Sequence, residues 1–316
     1  MKAGLGREKL VRLSHVAFAV ACLGVAGCSN QSVRAGLLPD LDGNFVPTAI
    51  AKQIGANPAE MRQAFDSSPE VEVFSATGTT NRMAKKFGVS TDLAMTRHLQ
   101  AMVRRLTNVL EGDDRQYEVV LLSNHKLNAF TPGAGKILVN EGLLVYCKTE
   151  GEVAAVLAHE IAHVIMRHPQ RIRQLALVSK ASRRFIDTIT PIDLQHSMAP
   201  LLKRKSLDTI NYFRRNQEIV ADGLGMDIMV AAGYDPRGMI SALRSLSQLE
   251  ASLQNGQKSV VGNHPPSLQR ELAAAAKLRK FYSATQGIVT SATFEKLAKP
   301  YHLKRDRREA RITTQH

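Results

Sequence analysis

Two histidines and a glutamate carry the first chemistry legible in this chain. In Val156-Leu157-Ala158-His159-Glu160-Ile161-Ala162-His163-Val164 the histidines stand four apart, with the glutamate directly after the first. On a helix, positions i and i+4 share a face, so both imidazoles can ligate one metal ion while Glu160 leans over the metal's open side. A carboxylate there can accept a proton from water, which makes the pattern the sequence form of a zinc peptidase. An acidic residue among aliphatics is costly unless paired or used, and this weighs against two core histidines that merely share a face.

Positioning these groups requires a helix with defined ends. Thr149 followed by Glu152 makes a capping box, and Val153, Val156, Leu157, Ile161, Val164 and Ile165 supply apolar faces around the histidines. Pro169 stops or bends the chain just after His168. Catalytic zinc takes a third protein ligand and keeps its fourth position open. Glu218, 55 residues after His163, is the best supplier, because it shares a helix face with Asp222 on a run rich in Ile, Val, Ala, Leu and Met. Glu218 can bind the metal while Asp222 holds a ligating histidine by its second ring nitrogen. The expectation is one Zn2+ per chain on His159, His163 and Glu218, with Glu160 as the catalytic base.

Three further stretches join His-Glu-Ile-Ala-His in a fixed order. They are Asn128-Ala129-Phe130 to Gly142-Leu143-Leu144, Arg215-x-x-Glu218-x-x-Ala221-Asp222, and Asn263-His264-Pro265-Pro266-Ser267 with Arg270. Together, over roughly residues 92–281, the chain resembles the gluzincin metallopeptidases that include the CaaX prenyl proteases, the heat-shock membrane protease and bacterial periplasmic lipoprotein peptidases. The resemblance implies an α+β, mostly helical, zincin-like metallopeptidase domain with a small sheet before the H-E-x-x-H helix. It implies that Asn128, Ala129 and Phe130 form the edge segment where an extended substrate pairs, that Arg215 joins Asp222 in supporting the ligands, and that His264 lies by the metal. For His264 three roles stay open: a packed loop residue, a hydrogen-bond donor to the oxyanion, or a gate. Gly133-Ala134-Gly135 stands where the family has paired glycines, and Gly262-Asn263 where it has Ser-Thr; these departures bear on loop shape and not on the metal site.

The N-terminus indicates where this chemistry happens. Lys2, Arg7, Lys9 and Arg12 precede an apolar run, Val16 to Ala26, too short to span a membrane, which ends in Val25-Ala26-Gly27-Cys28. That ending resembles the bacterial lipobox, which implies a signal peptide over 1–27, lipidation of Cys28, and, with Ser29 in place of Asp, sorting to the periplasmic face of the outer membrane. With Cys22 in the leader and Cys28 lipidated, Cys147 is alone, so no internal disulfide is expected and Cys147 reads as a core residue. The formal net charge is +14, which favours anionic head groups or acidic partners. Nucleic acid is excluded from the reading, because export separates the chain from it and aromatic residues make up only 5%.

The expected organisation is a lipidated tether over 28–47, the metallopeptidase domain over 48–300 and a basic flexible tail over 301–316. Within the domain, Glu70 to Phe74 reads as a short strand, a helix is expected from a Thr91 cap to near Gly112, and strands at 117–122, 128–131 and 136–139. A helix through Glu218 ends at Gly233, another starts at Asp235-Pro236, and a last, alanine-rich one starts at Pro266. The function these features imply is an envelope endopeptidase acting on unfolded or misassembled envelope proteins. The alternative is an outer-membrane protein assembly factor or holdase, working with the assembly machinery, whose zinc is structural or rarely used. The intact Glu160 favours the enzyme, since a closed structural site needs no such glutamate.

Overall fold

The computed structural model describes residues 68–173, 198–252 and 268–313. The chain divides into two compact units, residues 1–71 with 170–215 and residues 72–169 with 216–316. In the first, residues 170–173 and 198–215 are helical. The second holds the sheet and the core.

Helix α1 (Pro69–Phe87) replaces the strand expected at Glu70 to Phe74. The alternating Glu-Val-Glu-Val-Phe looks like a strand, but Glu72 is buried and accepts the Ala134 N–H at 2.9 Å. In α2 (Leu93–Thr107) the residues Met95, Leu99, Met102, Val103 and Leu106 all turn inward. Its cap is Asp92, one residue after the expected Thr91, and the Asp92 carboxylate accepts the Met95 N–H at 2.9 Å.

Strands β1 (Glu118–Leu122), β2 (Ala129–Gly133) and β3 (Lys136–Asn140) form one sheet in the order β1-β3-β2. β1 runs parallel to β3, with Val120 opposite Leu138, and β2 runs antiparallel to it, with Phe130 opposite Leu138. β2 thus lies at an edge of the sheet. The turn into β3 has left-handed backbone at Gly133, Ala134 and Gly135. Gly135 is obligatory, since a Cβ there would collide with the Gln116 carbonyl.

After the short α3 (Glu141–Tyr146), α4 (Glu150–Ile165) runs through the core with nearly every side chain buried. Thr149 accepts the Glu152 N–H at 3.2 Å, and the Glu152 carboxylate reaches back to the Lys148 N–H at 2.6 Å. At the other end Arg115 donates to the Val164 carbonyl at 2.8 Å, placing a cation on the negative pole of the helix. Asp113 holds that guanidinium by two hydrogen bonds, of 2.6 and 2.9 Å. Burial raises the Asp113 pKa, but the bonds from Arg115 and Tyr117 outweigh it and the carboxyl sits below its usual range.

The remaining helices are α5 (Met198–Ala231), α6 (Arg237–Ser252), α7 (Leu268–Phe281) and α8 (Ala292–Thr313). Gly233, with φ 81°, ends α5 as its sequence suggests. Of the tail expected to be flexible over 301–316, residues 301–313 belong to α8, whose Phe294, Ala298 and Tyr301 are buried. The Tyr301 hydroxyl donates to the Asp92 carboxylate at 2.9 Å. Cys147 is buried, as expected, and burial pushes its thiol pKa up. No helix among the described residues is long and apolar enough to cross a membrane.

α6 packs on the start of α4 through bare backbone, because a Cβ on Gly238 would lie 2.5 Å from the Gly151 carbonyl oxygen. Gly238→Ala should therefore destabilise the fold by about 1–3 kcal/mol, as overpacking against backbone does. A thermal melt superimposable on the wild type would show that the two helices can separate without cost.

Candidate metal centre and active site

α4 and α5 approach closely enough to bring donors from both around one point. A Cβ on Gly225 of α5 would lie 3.2 Å from the backbone nitrogen of His159 and 3.0 Å from Met239 Cε, so glycine permits the contact. Next to it, His159 Nε2 and His163 Nε2 are 3.0 Å apart. Glu218 Oε2 lies 3.4 Å from His159 Nε2, and Glu218 Oε1 lies 3.5 Å from His163 Nε2. Ligand atoms about 2 Å from a tetrahedral ion stand roughly 3.3 Å from one another. This buried triangle of two imidazoles and a carboxylate therefore fits one metal ion.

Each of the three donors is braced from behind. His159 Nδ1 is 2.8 Å from Asp222 Oδ1, which leaves Nε2 for the metal. Arg270 of α7 donates to both oxygens of Asp222, through Nε at 2.7 Å and Nη2 at 2.8 Å. Its Nη1 is 3.1 Å from Glu218 Oε2, so one buried guanidinium joins the carboxylate of the donor triangle to the carboxylate that meets His159. His163 Nδ1 lies 2.6 Å from His168 Nδ1.

Burial disfavours a charged His159, but Asp222 and Glu218 outweigh it and push its pKa up to about 10. Burial likewise opposes ionisation of Asp222, and Arg270, followed by His159, holds its carboxyl below the usual range. A proton and a metal ion would therefore compete for the His159 ring. Charged His159 stabilises the metal-free fold fully below its unfolded value of about 6.5. That contribution is lost as pH rises through about 10. Metal affinity moves the opposite way and rises with pH.

Glu160 is 1% exposed and lines a cleft with His159, Asn128 and Ala129. The rest of the cleft is largely aliphatic, with Leu127, Leu143, Val156, Met239, Leu243 and Leu246 facing it. Of the edge segment expected to meet substrate, Asn128 and Ala129 reach the cleft. Phe130 sits in β2, half-buried, and is not among the lining residues. Arg215 does not fill the supporting role expected of it: it is exposed on α5, and the guanidinium between the carboxylates belongs to Arg270. The sequence offered one signal for that, a lone arginine after the Pro265-Pro266 segment at the start of an alanine-rich helix. His264 and Cys28 lie outside the described residues.

The chain is 27% identical over 263 residues to metalloprotease LoiP of Escherichia coli K12, covering 82% of this chain and 94% of that protein. It is 25% identical over 235 residues to the beta-barrel assembly-enhancing protease of Yersinia pestis, and 34% identical over 143 residues to mitochondrial metalloendopeptidase OMA1 of Arabidopsis thaliana. Those matches cover 66% and 45% of this chain but only 48% and 28% of the two relatives, so it spans less than half the length of either. The profile of peptidase family M48 matches residues 94–278, a stretch that contains every ligand of the triangle, its braces and the cleft. With more than half of the sequence matched and the metal-binding geometry in place, the chain belongs to peptidase family M48.

Proposed function

We propose that this protein is a zinc-dependent endopeptidase of the bacterial cell envelope. The observation that carries the reading is the buried donor triangle of His159, His163 and Glu218 with Glu160 beside it at an apolar cleft. When bound, zinc supplies a Lewis acid that polarises the scissile carbonyl and lowers the pKa of a water molecule. Glu160 accepts the proton of the attacking water and delivers it to the leaving amine nitrogen. Arg270 and Asp222 keep His159 and Glu218 in place throughout. Asn128 and Ala129, at the start of the edge strand, pair with an extended substrate backbone, and the aliphatic cleft takes an apolar side chain of the substrate.

The substrates we assign are unfolded or misassembled outer-membrane and periplasmic proteins, which offer extended backbone to an edge strand. The relative named a beta-barrel assembly-enhancing protease supports this choice and a working contact with outer-membrane assembly. Lipidation at Cys28 would hold the protein on the periplasmic face of the outer membrane; the basic composition suits it to anionic head groups.

Purified protein should carry about one zinc per chain and hydrolyse an unfolded envelope protein, with hydrolysis lost in a chelator and restored by zinc. Zinc affinity, measured by chelator competition, should rise about tenfold per pH unit for each proton displaced between pH 6 and 8. A pH-independent affinity would mean that His159 is not a cation in the metal-free site, and hydrolysis that survives the chelator would overturn the metal-dependent reading.

A further inference from the structure

His163 has its own brace, and it is built differently from that of His159. α4 ends at Ile165 and its last turn is closed by the Met166 N–H on the Ala162 carbonyl at 3.0 Å and the Arg167 N–H on the Val164 carbonyl at 3.1 Å. Arg167 then adopts φ 54°, a left-handed conformation disfavoured for any residue with a Cβ. The reversal it makes is used, because helical backbone resumes at His168 and the His168 side chain is turned back against the metal helix. His168 is 3% exposed, and its ring meets that of His163 edge to face, with centroids 4.7 Å apart at 66°. The two Nδ1 atoms are 2.6 Å apart.

We propose that His168 is a positioning residue for the metal site, which fixes the tautomer and ring orientation of His163 by accepting a hydrogen bond from its Nδ1–H. The chemistry of the pair leaves one consistent arrangement. His163 Nε2 faces Glu218 and His159 and must offer its lone pair to the metal, so the ring proton of His163 resides on Nδ1. A hydrogen bond between two Nδ1 atoms then requires His168 to present a lone pair there and to carry its own proton on Nε2. The two histidine ligands are therefore unequally backed. His159 leans on a carboxylate that is itself held by Arg270, whereas His163 leans on an imidazole placed by the left-handed turn at Arg167. This inference rests on the zinc-binding reading of the site.

The test is zinc affinity measured by competition with a chromogenic chelator, independent of any hydrolysis, on the full chain. His168→Phe keeps a ring of similar shape and removes the acceptor. His168→Asn places an amide oxygen near the position of Nδ1 and restores it. The phenylalanine variant should bind zinc about 10- to 100-fold more weakly than the wild type. The asparagine variant should recover most of that loss. If the phenylalanine variant does not fold, as judged by circular dichroism, His168→Ala takes its place in the comparison with His168→Asn. Wild-type affinity in the variants without the acceptor, or an equal loss in the asparagine variant, overturns the positioning role. Failure of the wild type to bind zinc would instead overturn the metal-site reading on which it rests.

Discussion

Replacing Glu160 with glutamine should lower peptide hydrolysis by at least about a hundredfold while leaving zinc content and fold unchanged. The amide matches the carboxylate in size, so the buried position next to His159 stays filled and the cleft keeps its walls. What the amide lacks is the capacity to accept a proton from water and release it to the leaving amine. The measurement is kcat/KM on an unfolded envelope protein or a fluorogenic peptide, alongside metal analysis of the same preparation. Equal hydrolysis by both proteins would assign the activity to a contaminant and favour an assembly factor or holdase whose zinc is structural.

Arg270→Met should be the most destabilising single change in the region, by about 3–5 kcal/mol, because it removes one member of a buried ionic group and leaves the others facing each other. The wild-type guanidinium serves Asp222 with two hydrogen bonds and stands 3.1 Å from Glu218. Without it, two buried carboxylates share a space from which water is excluded. Urea unfolding in chelator should show the full loss, and excess zinc should recover part of it, since the ion brings positive charge to Glu218 and His159. Arg270→Lys should fall between, since an ammonium keeps the charge but cannot bind both oxygens of Asp222 in a planar fork. The sign with pH is fixed by the lowered pKa of Asp222. Its ionised form stabilises the fold fully above the unfolded value of about 3.9, and that stability is lost as pH falls through the lower folded value. Removing Arg270 lets the folded pKa rise, so acid unfolding of the variant should begin at a higher pH. A variant with wild-type urea and acid midpoints would show that Arg270 is not the keystone of the group.

The clustering of the three donors is legible in sequence because helical periodicity is a local rule. His159 and His163 at i and i+4, and Glu218 and Asp222 at i and i+4, announce two faces, and the two faces meet. Arg270 was not assigned its role because it reaches Asp222 across 48 positions, and no spacing rule predicts a contact of that kind. Glu70 to Phe74 misleads for a related reason: alternation of Glu and Val satisfies a strand locally, whereas the segment is helical and its Glu72 captures the distant Ala134 N–H. In α8 the signal was present but faint. Phe294, Leu297, Ala298 and Tyr301 follow a helical stripe, but a surplus of lysine and arginine around them reads as a solvated end. His168 stood in view beside Pro169, and only the left-handed turn at Arg167 shows where its ring goes.

The bond from Tyr301 to Asp92 closes a span of 209 positions, and the same carboxylate caps the first turn of α2. A chain emerging from the ribosome makes α2, the sheet and α4 long before it makes α8, and until then the surfaces that Phe294, Ala298 and Tyr301 cover stay wet. Contacts of such separation form late and slowly. The unit should therefore complete itself only after translation has passed residue 301, and until then the nascent chain carries an apolar surface that its own last helix has yet to cover.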